Sequence, residues 1–145
     1  MNRLAALSVS AVVFVMSGCA SGPGFKSVSA SFPPVPAGSA RIFFYRNANM
    51  GMGGAVQPGV NLNGEKIGNA VPGGFFYVDR PPGDYQVTTT TELKKSLTFH
   101  VDAGQVRYVR LGLSMGLMVG HINPELVEAQ QAQPEIEKTK SPKKS

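Results

Sequence analysis

The chain has no tryptophan, two histidines and one cysteine. A single thiol excludes a disulfide within the chain. His100 and His121 stand apart from any Cys or carboxylate group at ligand spacing, so neither is expected to bind a metal. Long apolar runs are also missing. The longest, from Leu4 to Met16, has 13 residues, whereas a spanning helix needs about 20. The segment Leu111 to Gly120 is shorter still and rich in glycine. The glycines of "GMGG" (51–54) lack the Lys-Ser/Thr pair and the helix that a phosphate loop requires.

A basic excess on the folded part is lacking too. The formal charge is +5, but Arg3 lies in the leader and Lys138, Lys140, Lys143 and Lys144 lie in the last eight residues. Setting these five aside leaves the 14 basic residues reduced to the number of acids, 9. A nucleic-acid binder carries its excess on a folded face, so no nucleic-acid partner is expected.

What is present begins with the leader. An Arg close to Met1, the run "LAALSVSAVVFVM" and then small residues follow the order of a secretory signal. Cys19 stands at its end. A disulfide has no partner, and a catalytic thiolate needs an electropositive pocket that this Gly/Ser/Pro-rich junction does not suggest. Met16-Ser17-Gly18-Cys19 resembles the lipobox of bacterial lipoproteins, with Met in place of the usual Leu. The resemblance implies a mature chain starting at Cys19 with acyl chains on its sulfur and amine; several chains anchor stably. Ala20, rather than Asp, resembles the pattern sorted to the outer membrane. The covalent lipid on Cys19 is the sole group expected; no other cofactor is.

The mature chain divides by composition. Residues 1–18 read as the signal peptide and 19–38 as a lipidated, flexible Gly/Ser/Pro tether. Residues 39–122 read as the folded domain, 123–136 as a helical extension and 137–145 as a disordered Lys-rich tail. "ARIFFYR" (40–46) is apolar on both faces, which fits a central strand or one covered outside. Asn63-Gly64 in "VNLNGEKIG" is the preferred pair for a type I′ hairpin. "GGFFYVDR", "DYQVTTTT", "KSLTFHV" and "VRYVRLGLS" supply further strands, with Pro82-Gly83 as a type II turn and "DAGQ" as another turn. Asn123, Pro124 and Glu125 read as the start of a helix running to about Gln133, which Pro134 breaks. Short strands without repeating βα units give an all-β, mainly antiparallel fold. The expected architecture is a small prealbumin- or immunoglobulin-like β-sandwich with a short C-terminal helix.

With these residues in view, the chain resembles a family of bacterial lipoproteins named as domain of unknown function 2846. The segments that carry the resemblance are "ARIFFYR", "VNLNGEKIG", "GGFFYVDRPPGDYQV", "AGQVRYVRLGL" and "NPELV", in that order. The resemblance implies no activity and no catalytic residues.

Three readings of function follow. The first is a non-catalytic, lipid-anchored envelope module whose partners are the membrane and other envelope proteins or peptidoglycan. For it, Arg41, Arg46, Arg107 and Arg110 form a candidate interaction patch, set against the plainer reading of arginine stems covering aromatics. The second is a sandwich that binds a glycan or an ion. The third is a serine hydrolase using Ser114, in the outline Gly112-x-Ser114-x-Gly116, with His121; a nucleophile elbow needs a strand-turn-helix that the pattern here lacks.

Overall fold

The computed structural model describes residues 19–48, 56–90, 94–115 and 120–142. Eight strands form two four-stranded sheets among these residues. They are β1 (Ala40–Tyr45), β2 (Gly59–Leu62), β3 (Glu65–Asn69), β4 (Phe75–Arg80), β5 (Gly83–Thr90), β6 (Lys94–Val101), β7 (Val106–Met115) and β8 (Gly120–Val127). One sheet has the order β4-β1-β7-β8 and the other β3-β2-β5-β6. All pairings are antiparallel except β1 with β7. The fold is therefore the expected all-β sandwich, closed by a short C-terminal helix.

Strand β1 explains the double-sided apolar pattern. Its alternation places Ile42 and Phe44 in the core between the sheets, with Val60, Val87, Val109 and Ile122. Phe43 and Tyr45 point to the opposite face, into a second cluster with Phe25, Phe75, Tyr108 and Ile136. The strand is central, flanked by β4 and β7, and its outer face is covered. The hairpin between β2 and β3 follows the sequence signal: Asn63 and Gly64 have φ of 49° and 84°, and Leu62 pairs with Glu65. Both positions need the left-handed region, which Asn tolerates and Gly occupies without cost.

Pro82-Gly83 differs from its reading. It does not return the chain beside β4; the chain crosses from one sheet to the other, because β4 and β5 belong to different sheets. Gly83 has φ of 152°, not the value near +80° of a type II turn.

Two larger corrections fall at the chain ends. Residues 123–127 are not helical. Asn123, Pro124 and Glu125 continue β8, with Pro124 opposite Leu111. β8 is an edge strand, where a proline without N–H removes no ladder bond that a neighbour requires. The helix, α2, comes later, at Ala129–Ile136, and holds Pro134 inside it. Ala132 and Ile136 on either side of Pro134 are fully buried, so packing outweighs the lost intrahelical bond.

The segment read as a flexible tether is folded over most of its length. Phe25–Val28 form a single helical turn, α1, followed by a 3₁₀ turn at Ser29–Ser31. Phe25 packs edge-on to Phe75 (5.1 Å between centroids) and Phe43 (5.7 Å), and Phe32 packs edge-on to Tyr77 (5.1 Å). Two aromatic anchors on a sheet of aromatics offset the chain entropy that a glycine-rich segment loses on ordering. Within the segment read as a tail, Thr139 is buried and Lys140 bridges to Gly24 and Gly74. No helix among the described residues is long and apolar enough to cross a membrane.

Candidate functional site

Cys19 is exposed and is the first of the described residues. The very next residue is already held: the Ala20 amide donates to the Pro72 carbonyl at 3.0 Å. Gly22 N–H donates to the Ser141 carbonyl (2.9 Å), Ser141 N–H to Pro23 (2.8 Å) and Phe25 N–H to Thr139 (2.8 Å). On its other side the same C-terminal stretch joins the loop before β4, with Lys140 N–H donating to Gly73 (2.9 Å) and Phe75 N–H to Lys140 (3.2 Å). The two chain ends thus run side by side at one end of the sandwich. Met16, Ser17 and Gly18 lie outside the described residues.

The four candidate arginines do not share one surface. Arg41 is buried on the outer face of β1. Its Nε and Nη2 donate to the two Asp79 oxygens at 2.7 and 2.8 Å, its Nη1 to the Pro33 carbonyl at 2.8 Å, and its guanidinium lies 4.3 Å from the Tyr77 ring centroid. The bond to Asp79 holds its pKa above the ordinary arginine value against the cost of burial. Arg46 is fully enclosed and donates Nη1 to the carbonyls of Val56 and Ala70. Burial lowers its pKa, and the neighbouring Cys19 sulfur acts against that shift. Arg107 is half-buried and pairs in register with Ile42, on the inter-sheet side. Arg110 alone joins a polar cleft. The covering of aromatics by arginine applies to Arg41 over Tyr77.

Around Arg110 a network ties α2 to the sheet. Its Nε and Nη2 donate to Glu125 Oε2 at 3.1 and 2.8 Å, and its Nη1 to Glu135 Oε1 at 2.9 Å. The Tyr45 hydroxyl donates to Glu135 Oε2 at 2.6 Å. Burial pushes the Tyr45 pKa up, and the Glu135 bond adds to it. For Glu135 burial alone would raise the pKa; the bonds from Tyr45 and Arg110 outweigh it and hold the carboxyl below its ordinary value. A cleft of about 250 Å³ lined by Asn47, Arg110, Gly112 and Glu125 opens beside this network. A second of about 270 Å³, lined by Asn47, Ala48, Glu135, Lys138 and Thr139, adjoins it. Both Glu135 oxygens already accept hydrogen bonds, so the network is built to hold α2 in place rather than to accept a substrate proton. Nothing local in the sequence announces it, since Tyr45 and Glu135 are 90 residues apart.

Ser114 and His121 are brought opposite each other in the β7–β8 register. Ser114 sits inside a strand, not at a strand-to-helix elbow, and its hydroxyl accepts a bond from Asn123 Nδ2 at 2.6 Å. Gly116, the last residue of the motif outline, lies outside the described residues.

His100 does have carboxylates beside it. β5–β6 pairing sets Asp84 opposite His100, with Nδ1 and Asp84 Oδ1 2.7 Å apart, and Asp102 two residues on lies 3.2 Å from Nε2. These bonds raise the His100 pKa above 6.5. The i, i+2 spacing of His100 and Asp102, at and just past the end of β6, is the signal that could have revealed half of this clamp; Asp84 needed the strand register. Among the described residues no group of three or more His, Cys, Asp or Glu side chains is placed to hold a metal ion.

Comparison with known proteins adds a family. The family model described as "Protein of unknown function (DUF2846)" matches residues 36–122. A protein of Haemophilus influenzae described as an uncharacterized protein is 26% identical over 137 residues, covering 90% of this chain and 80% of its own length. No solved structure matches the chain.

Proposed function

The chain belongs to the DUF2846 family of proteins of unknown function, and from that premise we propose that it is a lipid-anchored protein of the bacterial cell envelope. In this reading Cys19 carries the acyl chains, the sandwich acts as a non-catalytic interaction module, and Ala20 directs the protein to the outer membrane. One observation supports it above the rest: the sole cysteine is exposed and directly precedes Ala20, the first of the described residues with a backbone bond to the sandwich. An exposed thiol next to the first held residue of the described chain is accessible to an acyl-transferring enzyme. The test is Cys19→Ser. The substitution leaves an unprocessed precursor without acyl label; a Cys19→Ser protein that still incorporates palmitate and stays with the membrane fraction refutes the reading.

The two clefts beside Asn47 favour a second reading, a sandwich that binds a glycan or an ion. Arg110, Glu125 and Asn47 line the first and Asn47, Glu135, Lys138 and Thr139 the second, polar sets suited to hydroxyls. A thermal-shift screen with glycans and calcium decides it: a rise in melting temperature that Arg110→Ala abolishes supports binding at the cleft. The hydrolase reading rests on Ser114 and His121 alone and requires fluorophosphonate labelling that is lost in Ser114→Ala.

A further inference from the structure

We propose that the paired chain termini form a basic seat for anionic phospholipid headgroups, in which Lys138 and Lys140 reinforce the lipid anchor; this rests on the reading that Cys19 is acylated. The geometry starts from the length of the lead. Ala20 is bonded to Pro72, so one peptide link, about 3.8 Å between Cα atoms, separates the acylated residue from the folded surface. A domain on so short a lead cannot stand away from the bilayer. The surface around Pro72 and Ser141 is held at headgroup level.

The same surface carries the C-terminal lysines. A methyl group built on Gly74 would lie 3.4 Å from the Ala20 methyl, and Lys140 bridges directly to Gly74 and Gly24. Lys138 and Lys140 are exposed. Neither forms an ion pair among the described residues, whereas the neighbouring Lys26 is matched by Glu137 at 3.2 Å. Residues 138–145 include no Asp or Glu, and Lys143 and Lys144 follow Lys140 in sequence. Two unpaired lysines among the described residues, Lys138 and Lys140, thus belong to the segment that pairs with the anchor segment. A lipid chain combined with a polybasic stretch is the two-signal form of stable membrane attachment. Each lysine brought to an anionic surface strengthens association by about fivefold.

The experiment uses the acylated protein purified from membranes and placed in nanodiscs of phosphatidylcholine, with or without phosphatidylglycerol. Reaction of each lysine with an amine-acylating reagent is read by mass spectrometry. Lys66 and Lys94, exposed on the other sheet, are internal controls. Labelling of Lys138 and Lys140 falls about fivefold with phosphatidylglycerol and returns in high salt, while the controls do not change. Equal labelling in both discs overturns the seat. The mass of the N-terminal peptide in the same sample reports separately whether Cys19 is acylated. Should it carry no acyl group, the anchor reading fails, and sedimentation of that protein with phosphatidylglycerol vesicles tests the seat alone. Binding that is lost on replacing Lys138, Lys140, Lys143 and Lys144 by Gln supports it, and binding that is unchanged overturns it.

Discussion

In β1 all six residues are buried, whereas in β6 of the facing sheet exposed and covered residues alternate. Both strands contribute to the core between the sheets, Ala40, Ile42 and Phe44 from one, Phe99 and Val101 from the other. They differ on their outer faces. Beyond β1 lie Phe25 and Phe32 from the N-terminal segment and Ala132 and Ile136 from α2. Beyond β6 lies solvent. The two sheets therefore carry a third layer on one outer face, and Phe25, Phe32, Ala132 and Ile136, which build it, lie outside residues 36–122, the span that the family model matches. The terminal segments complete the fold.

Truncating Phe43 tests that difference most severely. Its ring is buried on the outer face of β1, stacked 5.5 Å from Tyr108 and packed against Phe25. Phe43→Ala should cost about 3–5 kcal/mol, the range for an inner-core aromatic. Thr98→Ala, on the exposed face of β6, should stay within about 0.5 kcal/mol. Urea denaturation of both variants measures the contrast. A Phe43→Ala cost no larger than that of Thr98→Ala would mean that the termini do not cover this face in solution.

The asymmetry was half legible in the sequence. "ARIFFYR" carries apolar residues on both faces, which demands a cover, and Asn63-Gly64 announces its turn because few residue pairs accept two positive φ angles. The identity of the cover was hidden. A stretch of Gly, Ser and Pro has the composition of a linker, and only the spacing of Phe25 and Phe32 hints that it docks. Asn123-Pro124-Glu125 satisfies every local rule for a helix start, yet it lies on an edge strand, where the register with β7 overrides local preference. The four arginines were readable as residues but not as partners. Whether Arg41 meets Asp79 or Arg46 meets backbone carbonyls depends on strand pairing, which composition does not encode.

A second, smaller effect concerns the lock on α2. Glu135→Gln keeps the shape of the side chain and removes the charge that Arg110 and the Tyr45 hydroxyl share. The expected loss is about 1–3 kcal/mol, since Arg110 retains Glu125. The pH dependence carries the sign. The Glu135 pKa in the folded protein is depressed below 4.5. Its contribution is therefore complete above the unfolded value and is lost as pH falls through the folded one. Thermal melts between neutral and acid pH should show wild type losing stability on the acid side more steeply than Glu135→Gln. Parallel curves would remove Glu135 from the lock.

The smallest effect belongs to the bare sheet, and its sign is opposite. His100 is exposed between Asp84 and Asp102, and the two hydrogen bonds raise its pKa, the Asp84 bond contributing most. Two ring nitrogens that each face a carboxylate oxygen can both donate only when the imidazole is protonated. A raised pKa makes the clamp's contribution complete below 6.5 and fading as pH climbs through the folded value. Solvent and salt screen it, since all three side chains are more than half exposed. The direct measurement is an NMR titration of the His100 ring protons. Asp84→Asn should return the midpoint most of the way to the ordinary histidine value, and Asp102→Asn should move it less, in keeping with the longer contact at 3.2 Å. A midpoint that neither substitution lowers would show that the β5–β6 register leaves the two carboxylates without hold on the ring.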